Sequence, residues 1–493
     1  MIGGEPLATA LILAAFGGLL ALSVGLSRAS ARLGLPVALF FLLVGVFAGS
    51  EGIVGIHFED YHFAFRIGTT SLALILFDGG LNTSISSVRE VLAPATMLAT
   101  VGVFATAGLV AIAGHLLGLD WPIALLLGAI VSSTDAAAVF SVLGGSGTRL
   151  RRKVGLTLEV ESGLNDPMAV ILTMTVTASI VGGAALSVWG MARSVVMELV
   201  IGAILGYLIA RAGRWILVRL VLPAPGLYPA FTLALAFLSF GVTTLLHGSG
   251  FLAVYVTGVT LGSGALPHAV SVRRVHDALG WLSQVLMFLL LGLLLFPSRL
   301  WAVAPVGLAI ALFLAIIARP IAVLLCLAPF KYRWRDTAYV GWVGLRGAVP
   351  IVLATIPVMA GVGGARQLFD AVFFIVVVGA FVPGATVPWV TRLLRVESAA
   401  PPPPSAVIEV DALTPRGDEL RAYFVSTDLA VAGATLSEIP FPAGAAVSML
   451  ERAGALIAPS GYTRLEPGDY VYIIAPAEDR PHIELLFGKP EEH

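Results

Sequence analysis

Long apolar runs recur along the first 395 residues of this chain, and they limit what it can fold into. Each run is about 18 residues or more, long enough for a helix to cross the hydrocarbon core of a bilayer. Charged residues make up only 12% of the chain, against about a quarter in soluble domains. The sequence therefore predicts an α-helical polytopic membrane protein with about thirteen transmembrane helices, near residues 7–26, 35–50, 67–85, 92–118, 122–143, 156–180, 191–210, 226–246, 249–265, 278–296, 301–328, 336–361 and 368–391.

Basic residues predict the orientation of these spans. Clusters of arginine and lysine follow the odd-numbered spans, as in "TRLRRK" at 148–153, whereas the intervening loops are poor in both. Positive residues are enriched on the cytoplasmic side of a membrane. We therefore expect a protein of the inner membrane with its N-terminus outside and its C-terminus in the cytoplasm.

The composition changes after Arg395. "VESAAPPPPSAV" predicts an extended proline-rich linker at 396–406, which would follow a membrane domain at 1–395. Residues 407–493 have the pattern of a small cytoplasmic α/β domain, because "LRAYFVS" and "YVYIIAP" alternate as strands do. "PAGAAVSMLERAG" is interpreted as a short helix that ends at glycine.

Several function classes lack their usual signals in this sequence. A net charge of −1 points to no nucleic-acid partner, and the single cysteine, Cys326, allows no disulfide within the chain. There is no G-x-x-x-x-G-K-[ST] phosphate loop, no H-E-x-x-H zinc motif and no T-V-G-Y-G channel filter. We expect no cofactor and no enzymatic activity; an intramembrane enzyme and a gated cation channel are the competing interpretations.

Polar residues at membrane depth are the candidates for function, since a carboxylate there is costly unless it faces a partner or a water-filled cavity. In "GAIVSSTDAAAVFSVL", four consecutive polar residues, 132–135, interrupt the fifth span. We predict a broken helix with Thr134 and Asp135 at the break, because irregular backbone is tolerated at this depth where it lines a cavity. The alternative is that the hydroxyl groups join helices and Asp135 caps one of them.

The sixth span begins with "LEVESGLNDPMAVILTM", which has the highest density of polar groups. Asn165 and Asp166 fall two to three turns into this span, near the midplane. Ser162 shares a face with Asp166, and Glu161 with Asn165, because residues four apart are neighbours on a helix. We predict that Asp166 binds the transported ion; a structural pairing with an arginine is the alternative. Glu161 requires a cationic partner and is interpreted as structural.

Arginines in two late spans are the candidate partners. Arg319 lies in "IIARPIAV", and Arg346 lies in "GWVGLRGAVPIVLATIP", whose glycines and prolines predict a second broken helix. Two interrupted helices in opposite directions are typical of inverted repeats, with the substrate site where they cross. Either arginine could neutralise Glu161, with Arg319 favoured, and the other would balance the ends of the broken helices. Asp78, in "LFDGGLNTS", is either an inner-vestibule residue or an interfacial cap.

A midplane carboxylate in such a fold predicts ion exchange. Burial disfavours the charged form of Asp166, so that it holds either a proton or a small cation. Thr134, Ser162 and backbone carbonyl groups at the break would supply oxygen ligands to K⁺ or Na⁺. With Asn165 neutral, one proton would exchange for one cation without net movement of charge.

Four motifs, "ESGLNDPMAV", "SSTDAAAVF", "LFDGGL" and "GLRGAVPIVLA", resemble those of cation:proton antiporters of the NhaP type, and the similarity covers roughly residues 5–395. The Asn-Asp pair resembles the electroneutral branch of that family. The resemblance implies a homodimer in which a mobile core moves against a dimerisation domain. It implies ion-binding roles for Thr134, Ser162 and Asp166, site-organising roles for Asp135 and Asn165, and an ion pair for Glu161.

The segment from "LAVAGATLSEIPF" to "YVYIIAPAED" resembles the C-terminal subdomain of potassium-regulating RCK (TrkA-C) modules. The combination resembles the CvrA-like potassium/proton antiporters that regulate cell volume, which favours K⁺ over Na⁺ and implies a role in pH, K⁺ and volume homeostasis. No G-x-G-x-x-G segment precedes this domain, so we expect a small-molecule ligand other than NAD or a passive assembly role. Such tails also occur on channels.

Overall fold

Helices account for most of the structure, a computed structural model that describes residues 5–33, 35–146, 148–183, 188–264, 266–398, 419–476 and 478–488. The chain forms two units. One consists of Met1–Leu220, Pro229–Gly264 and Arg273–Ser398, and the other of Val221–Tyr228, Ala265–Val272 and Ala399–His493.

The helical membrane architecture predicted from the apolar runs is confirmed. Nine helices among the described residues are long and apolar enough to cross a bilayer, and four shorter apolar helices lie in the other predicted spans. The described α-helices, in chain order, are α1 (Glu5–Leu33), α2 (Val37–Ala48), α3 (Tyr61–Asn82), α4 (Ile85–Met97), α5 (Val103–Leu116), α6 (Trp121–Ile130), α7 (Ala136–Ser146), α8 (Arg152–Gly182), α9 (Val188–Arg219), α10 (Leu227–Leu245), α11 (Gly250–Gly262), α12 (Ala269–Leu293), α13 (Pro297–Phe313), α14 (Arg319–Leu327), α15 (Trp334–Trp342), α16 (Val349–Met359), α17 (Ala365–Leu393) and α18 (Arg480–Phe487).

Two of the predicted spans are broken helices. The fifth forms α6 and α7, separated by irregular backbone at 131–135, and the twelfth forms α15 and α16, separated by 343–348. The two breaks are in contact, because the backbone N–H of Asp135 donates to the carbonyl oxygen of Leu345 at 2.8 Å. Consecutive Ser and Thr side chains in the first break compete for backbone hydrogen bonds, and glycines in the second weaken the helix.

A helix with a π-helical turn precedes each broken span. The turn Leu98–Gly102 joins α4 to α5, and the turn Leu314–Ala318 joins α13 to α14. π-Helical turns are rare in proteins overall, but those that occur are often found at functional sites. The two copies are an odd number of crossings apart, so they run in opposite directions, as inverted repeats do.

Glycines bring α3 against α11 beside the broken helices. A Cβ added to Gly80 would lie 2.6 Å from the carbonyl oxygen of Tyr255, and one added to Gly258 would lie 2.5 Å from that of Phe77. Small residues allow helix backbones to approach this closely. The Tyr255 ring in turn contacts α8, since a Cβ on Gly163 would lie 2.8 Å from a ring carbon.

The second unit contains an antiparallel sheet of four described strands in the order β1-β4-β2-β3. They are β1 (Glu419–Phe424), β2 (Ala446–Arg452), β3 (Ala455–Ile457) and β4 (Tyr470–Ala475). Tyr423, Leu450 and Ile473 form a core with Phe487 of α18. The predicted strands in "LRAYFVS" and "YVYIIAP" correspond to β1 and β4.

The helix interpreted in "PAGAAVSMLERAG" is wrong. Residues 446–452 form β2, which pairs with β4 on one side and β3 on the other. Pairing with a strand about 20 residues away outweighs the local pattern, because β-propensity is set largely by neighbours across the sheet. The predicted linker at 396–406 lies outside the described residues from 399 onward, as do residues 407–418 of the predicted domain.

Candidate ion-binding site

Helix α8 carries most of the predicted site. Glu161 and Asn165 are fully buried, and Asp166 is 6% exposed. Pro167 follows Asp166 within the helix and has no backbone N–H, so the carbonyl group of Gly163 lacks its usual intrahelical donor. The helix therefore presents a backbone oxygen one turn from the Asp166 side chain.

The first helix break is held against α8 by Thr134. The amide nitrogen of Asn165 donates to the Thr134 hydroxyl oxygen at 2.7 Å. The Ser162 hydroxyl donates to the Thr134 carbonyl oxygen at 3.1 Å and accepts from the backbone N–H of Ala136 at 3.2 Å. Asn165, Ser162 and Thr134 thus form one hydrogen-bonded cluster, one turn or less from Asp166.

Asp135 caps the half-helix that follows the first break. Its Oδ1 accepts from the backbone N–H groups of Ala137 at 2.9 Å and Ala138 at 3.3 Å, at the start of α7. A Cβ on Gly347 would lie 2.0 Å from Asp135 Oδ2, so the carboxylate also packs directly against the backbone of the second break. A negative charge is favourable at a helix N-terminus, where backbone N–H groups are unpaired.

Arg346 lies at the C-terminal ends of α6 and α15, the half-helices that precede the two breaks. Its Nε donates to the Val131 carbonyl oxygen, just after α6, at 3.2 Å, and its Nη1 donates to the Gly344 carbonyl oxygen, just after α15. A positive charge is favourable at helix C-termini. Asp135 and Arg346 therefore compensate the dipoles of the two broken helices.

Glu161 forms a buried ion pair with Arg319. Nη2 of Arg319 lies 2.6 Å from Oε1 and 2.9 Å from Oε2 of Glu161, and both residues are at most 1% exposed. Arg319 is the first residue of α14, directly after the π-helical turn. Of the two arginines that the sequence offered, Arg319 is the one that contacts this carboxylate.

A cavity of about 270 Å³ leads to Asp166, and we call it the near cavity. Its lining runs along α8 from Glu159 to Asp166 and includes Ser162 and Asp135. The Asp166 carboxylate also interacts with the side chain of Ser133 in the first break. Asp166 is therefore one of three carboxylates that line the near cavity, with Glu159 and Asp135.

Three polar residues of this cavity were missed in the sequence, namely Thr83, Tyr255 and Gln284. Thr83, at the end of α3, donates from its hydroxyl to Glu159 Oε1 at 2.6 Å. Tyr255 of α11 also lines the cavity. Thr83 follows the "DGGLN" segment that contains Asp78, and Tyr255 lies in the largely apolar segment "FLAVYVTGVTLG", so the only signal was polarity within apolar runs.

Asp78 does not line the near cavity. The residues of α3 that do are at 72, 75, 76, 79 and 83, which share one face of the helix. The side chain at position 78 is rotated by about 100° around the helix axis from the one at position 79, so it lies off this face. Its carboxylate instead accepts from the Asn82 amide at 3.1 Å and faces Gly280 of α12. The structure thus places Asp78 outside the near cavity, and its two interpretations, vestibule residue and interfacial cap, stay predictions.

The donor set of the site consists of oxygen atoms. Three of these groups lie within about one turn of α8: the Ser162 hydroxyl, the Gly163 carbonyl and the Asp166 carboxylate. The fourth is the hydroxyl group of Thr134, whose backbone carbonyl accepts from Ser162 across the first break. Such hard oxygen ligands suit alkali cations. Among the described residues there is no group of three or more His, Cys, Asp and Glu that could hold a metal ion.

Two family models match the chain. The model of the transmembrane sodium/hydrogen exchangers matches residues 18–393, and that of the TrkA-C domain matches residues 420–488. The first match includes both broken helices and every residue of the site. The second covers all four strands except the first residue of β1, and it covers α18.

Known relatives extend over most of the chain. A K(+)/H(+) antiporter NhaP2 of Shewanella sp. (strain ANA-3) is 41% identical over 480 residues, which are 96% of this chain and 83% of that protein. A K(+)/H(+) antiporter NhaP of Alkalimonas amylolytica is 43% identical over 398 residues, which are 80% of this chain and 69% of that protein. The solved structure of the sodium proton antiporter MjNhaP1 from Methanocaldococcus jannaschii has the same fold, with a TM-score of 0.63, 23% identity, and coverage of 76% of this chain and 99% of that one. This chain belongs to the family of transmembrane sodium/hydrogen exchangers.

Proposed function

We propose that this chain exchanges K⁺ for H⁺ across the inner membrane, with Asp166 as the site that both ions share. The observation that carries the proposal is the position of Asp166. Asp166 lines the near cavity and directly follows Asn165, which donates to Thr134 of the hydroxyl cluster at the first helix break. A buried carboxylate in that position is neutralised either by a proton or by a cation held by neighbouring oxygens.

Competition for one carboxylate couples the two ions. A cation that arrives through the near cavity displaces the proton from Asp166, and a proton displaces the cation when the site faces the other side. Thr134, Ser162 and the carbonyl group of Gly163 supply the remaining oxygen ligands. Asn165 donates to Thr134 and so holds that hydroxyl group in place.

Charge counting around the two breaks supports a one-to-one exchange. The described residues there include three carboxylates, of Asp135, Glu161 and Asp166, and two guanidinium groups, of Arg319 and Arg346. One negative charge is left over, and Asp166 is the carboxylate that neither caps a helix nor pairs with an arginine. One proton or one monovalent cation balances it, so the exchange moves no net charge.

The names of the relatives favour K⁺ as the cation. Both the Shewanella and the Alkalimonas proteins are named K(+)/H(+) antiporters. Hard oxygen ligands by themselves separate K⁺ from Na⁺ poorly. Na⁺/H⁺ exchange at the same site is the second candidate, and the cation series below separates the two.

We further propose a homodimer with its N-terminus outside and its C-terminal domain in the cytoplasm. The clustering of basic residues after odd-numbered spans supports this orientation. The TrkA-C match at 420–488 supports a regulatory role for the domain, with a small-molecule ligand or an assembly function. Exchange would then serve cytoplasmic pH, K⁺ and volume homeostasis, and the protein would be a transporter without enzymatic activity.

Dequenching of a pH-sensitive dye in everted vesicles tests the exchange. We expect K⁺ to release a preformed proton gradient in the wild type, more effectively than Na⁺ or Li⁺, and Asp166→Asn to abolish the release. Asp78→Asn is the matched control, because it removes a carboxylate of α3 that does not line the near cavity, and it should keep the exchange. No cation-dependent release in the wild type, or full release in Asp166→Asn, would contradict the proposal.

A further inference from the structure

Residues 395–398, which follow α17, form a short antiparallel pair with residues 149–151 of the loop between α7 and α8. We call these two segments the strand pair. It lies where three helices end or begin: α7, which follows the first break, α8, which carries Asp166, and α17, from which the chain continues toward the C-terminal domain.

Two backbone hydrogen bonds join the segments of the strand pair. The N–H of Arg151 donates to the carbonyl oxygen of Val396 at 3.0 Å, and the N–H of Ser398 donates to the carbonyl oxygen of Arg149 at 2.9 Å. Two strands alone are at best marginally stable in water. The pair therefore depends on the side chains that fasten it to the membrane unit.

Val396 fastens the pair to the core around the two breaks. Its side chain is fully buried and belongs to one apolar cluster with Val139 of α7, Leu158 of α8 and Leu345 of the second break. Leu345 is also the residue whose carbonyl oxygen accepts from the backbone of Asp135. Burial of an aliphatic side chain is favourable, so the strand after α17 is held against the elements that form the ion site.

Arg151 fastens the pair to the second broken helix. Its Nη2 donates to the carbonyl oxygen of Arg395 at 2.6 Å, and its Nη1 lies 3.2 Å from Oδ1 of Asp336, in the first turn of α15. Arg151 itself directly precedes α8. One guanidinium group, with its several donors in a fixed plane, thus connects the starts of α8 and α15 with the end of α17.

The hydroxyl cluster depends on the relative position of α7 and α8. Thr134, just before α7, is bound to Asn165 and Ser162 of α8 at distances of 2.7 and 3.1 Å. A displacement of α7 along α8 by about 1 Å would stretch the shorter bond beyond hydrogen-bond range. The strand pair fastens the loop that joins the other ends of these two helices, and so it opposes such a displacement.

We propose that the strand pair is a positioning element of the ion site and that the C-terminal domain influences exchange through it. The inference rests on the proposed exchange. The domain is attached to α17 by the same strand that holds the loop between α7 and α8. A pull along that chain therefore acts on the strand pair before it reaches any other part of the membrane unit.

Two proline variants of the full chain test the positioning role. Ser398→Pro removes the N–H that donates to Arg149, whereas Glu397→Pro is the matched control, because Glu397 contributes neither of the two bonds. We expect Ser398→Pro to raise the K⁺ concentration for half-maximal dye dequenching several-fold and Glu397→Pro to leave it near the wild-type value. Equal concentrations in the two variants overturn the proposal.

A disulfide across the strand pair separates positioning from misfolding. Leu150 and Glu397 lie opposite each other between the two hydrogen bonds, a close pair whose Cα atoms, about 4.5 Å apart, are within disulfide range. We therefore combine Leu150→Cys and Glu397→Cys with Ser398→Pro in a Cys326→Ala background. Oxidation should restore exchange and reduction should remove it again in the same vesicles, and Leu150→Cys without the second cysteine should not respond.

A disulfide that forms without restoring exchange contradicts the positioning role, and failure of the disulfide to form contradicts the strand pair itself. If the wild type exchanges no cation, the proposed function fails, and disulfide formation still decides whether the pair exists.

Cleavage of the chain tests the link to the C-terminal domain. A protease site is inserted after Ser398 in the variant with Leu150→Cys and Glu397→Cys, and the vesicles are measured before and after cleavage. We expect cleavage to change the K⁺ concentration for half-maximal exchange in the reduced protein and to leave it unchanged in the oxidised protein, whose strand pair is fixed. An equal change in both forms, or no change in either, contradicts an influence of the domain through the strand pair.

Discussion

Five charged side chains among the described residues surround the two helix breaks, and their partners differ in kind. Asp135 and Arg346 bind backbone groups at the ends of half-helices, whereas Glu161 and Arg319 bind each other. Each of these four compensates a charge or dipole of the fold itself. Asp166 has no such partner and lines the near cavity, and we propose that its charge is left for the substrate ion.

The ion pair of Glu161 with Arg319 yields a stability prediction. Glu161→Gln leaves the buried guanidinium of Arg319 without its counter-charge, which costs about 3–5 kcal/mol when one partner of a buried pair is removed. We expect a lower unfolding temperature of the detergent-solubilised protein. The double variant Glu161→Gln and Arg319→Met removes both charges and should recover most of the loss. A single variant as stable as the wild type would show that water or another group compensates Arg319.

Glu51 yields a prediction of pH dependence. It lies in the loop after α2, and hydrogen bonds from the hydroxyl and the backbone N–H of Ser298, at the start of α13, lower the pKa of its carboxyl below the ordinary value of 4.5. A carboxyl whose pKa is lowered by folding contributes stability above its ordinary pKa and loses it as the pH falls through the folded value.

The corresponding experiment compares unfolding temperatures of the wild type and Glu51→Gln from neutral to acidic pH. We expect the wild type to be more stable at neutral pH and the difference to vanish in acid, as Glu51 becomes protonated. Glu90→Gln, at an exposed carboxylate, is the control for loss of a surface charge. A difference that is independent of pH would assign the effect to packing rather than to the charge.

The broken helices are the elements on which the site depends, and their contact requires glycine. At Gly347 the backbone of the second break lies directly against the carboxylate of Asp135, which is itself fixed by two hydrogen bonds to α7. The carboxylate cannot move away from position 347 without uncapping α7. A side chain at 347 would therefore separate the two breaks and disturb the hydroxyl cluster around Thr134.

Gly347→Ala is expected to abolish or strongly reduce cation/proton exchange while the protein still inserts into the membrane. Gly363→Ala is the matched control, because no atom lies within 4 Å of a Cβ at that position and its backbone conformation is not one reserved for glycine. Dye dequenching measures both variants, normalised to the amount of protein in the vesicles. Equal exchange in the two variants would show that the contact of the breaks is not required.

At the level of elements, the sequence predicted the interruptions better than the partners. Both breaks lie where polar or glycine-rich residues interrupt an apolar run, since the cost of irregular backbone in lipid is a local property. The wrong prediction of a helix where β2 forms has a non-local origin. Its strand depends on pairing with β4, a segment that local periodicity does not describe.

The whole molecule consists of two units that each have a core of their own. Tyr423, Leu450, Ile473 and Phe487 belong to a core cluster made entirely of residues of the C-terminal domain. A chain that ends at Ser398 is therefore expected to fold in the membrane and to retain proton-coupled exchange. Dye dequenching with the shortened chain measures this. A folded but inactive chain would assign the domain a direct role in transport.

The sequence by itself determined the membrane fold and predicted the region of the site. Apolar length decides which segments span a bilayer, and the cost of a polar group in lipid identifies the few positions that need a reason to be there. Both are properties of single segments. Only the tertiary structure decided that Arg319 contacts Glu161 across 158 residues and that Asp78 faces α12. The reason is physical: these contacts depend on how helices distant in sequence rotate and pack against one another, which no single segment encodes.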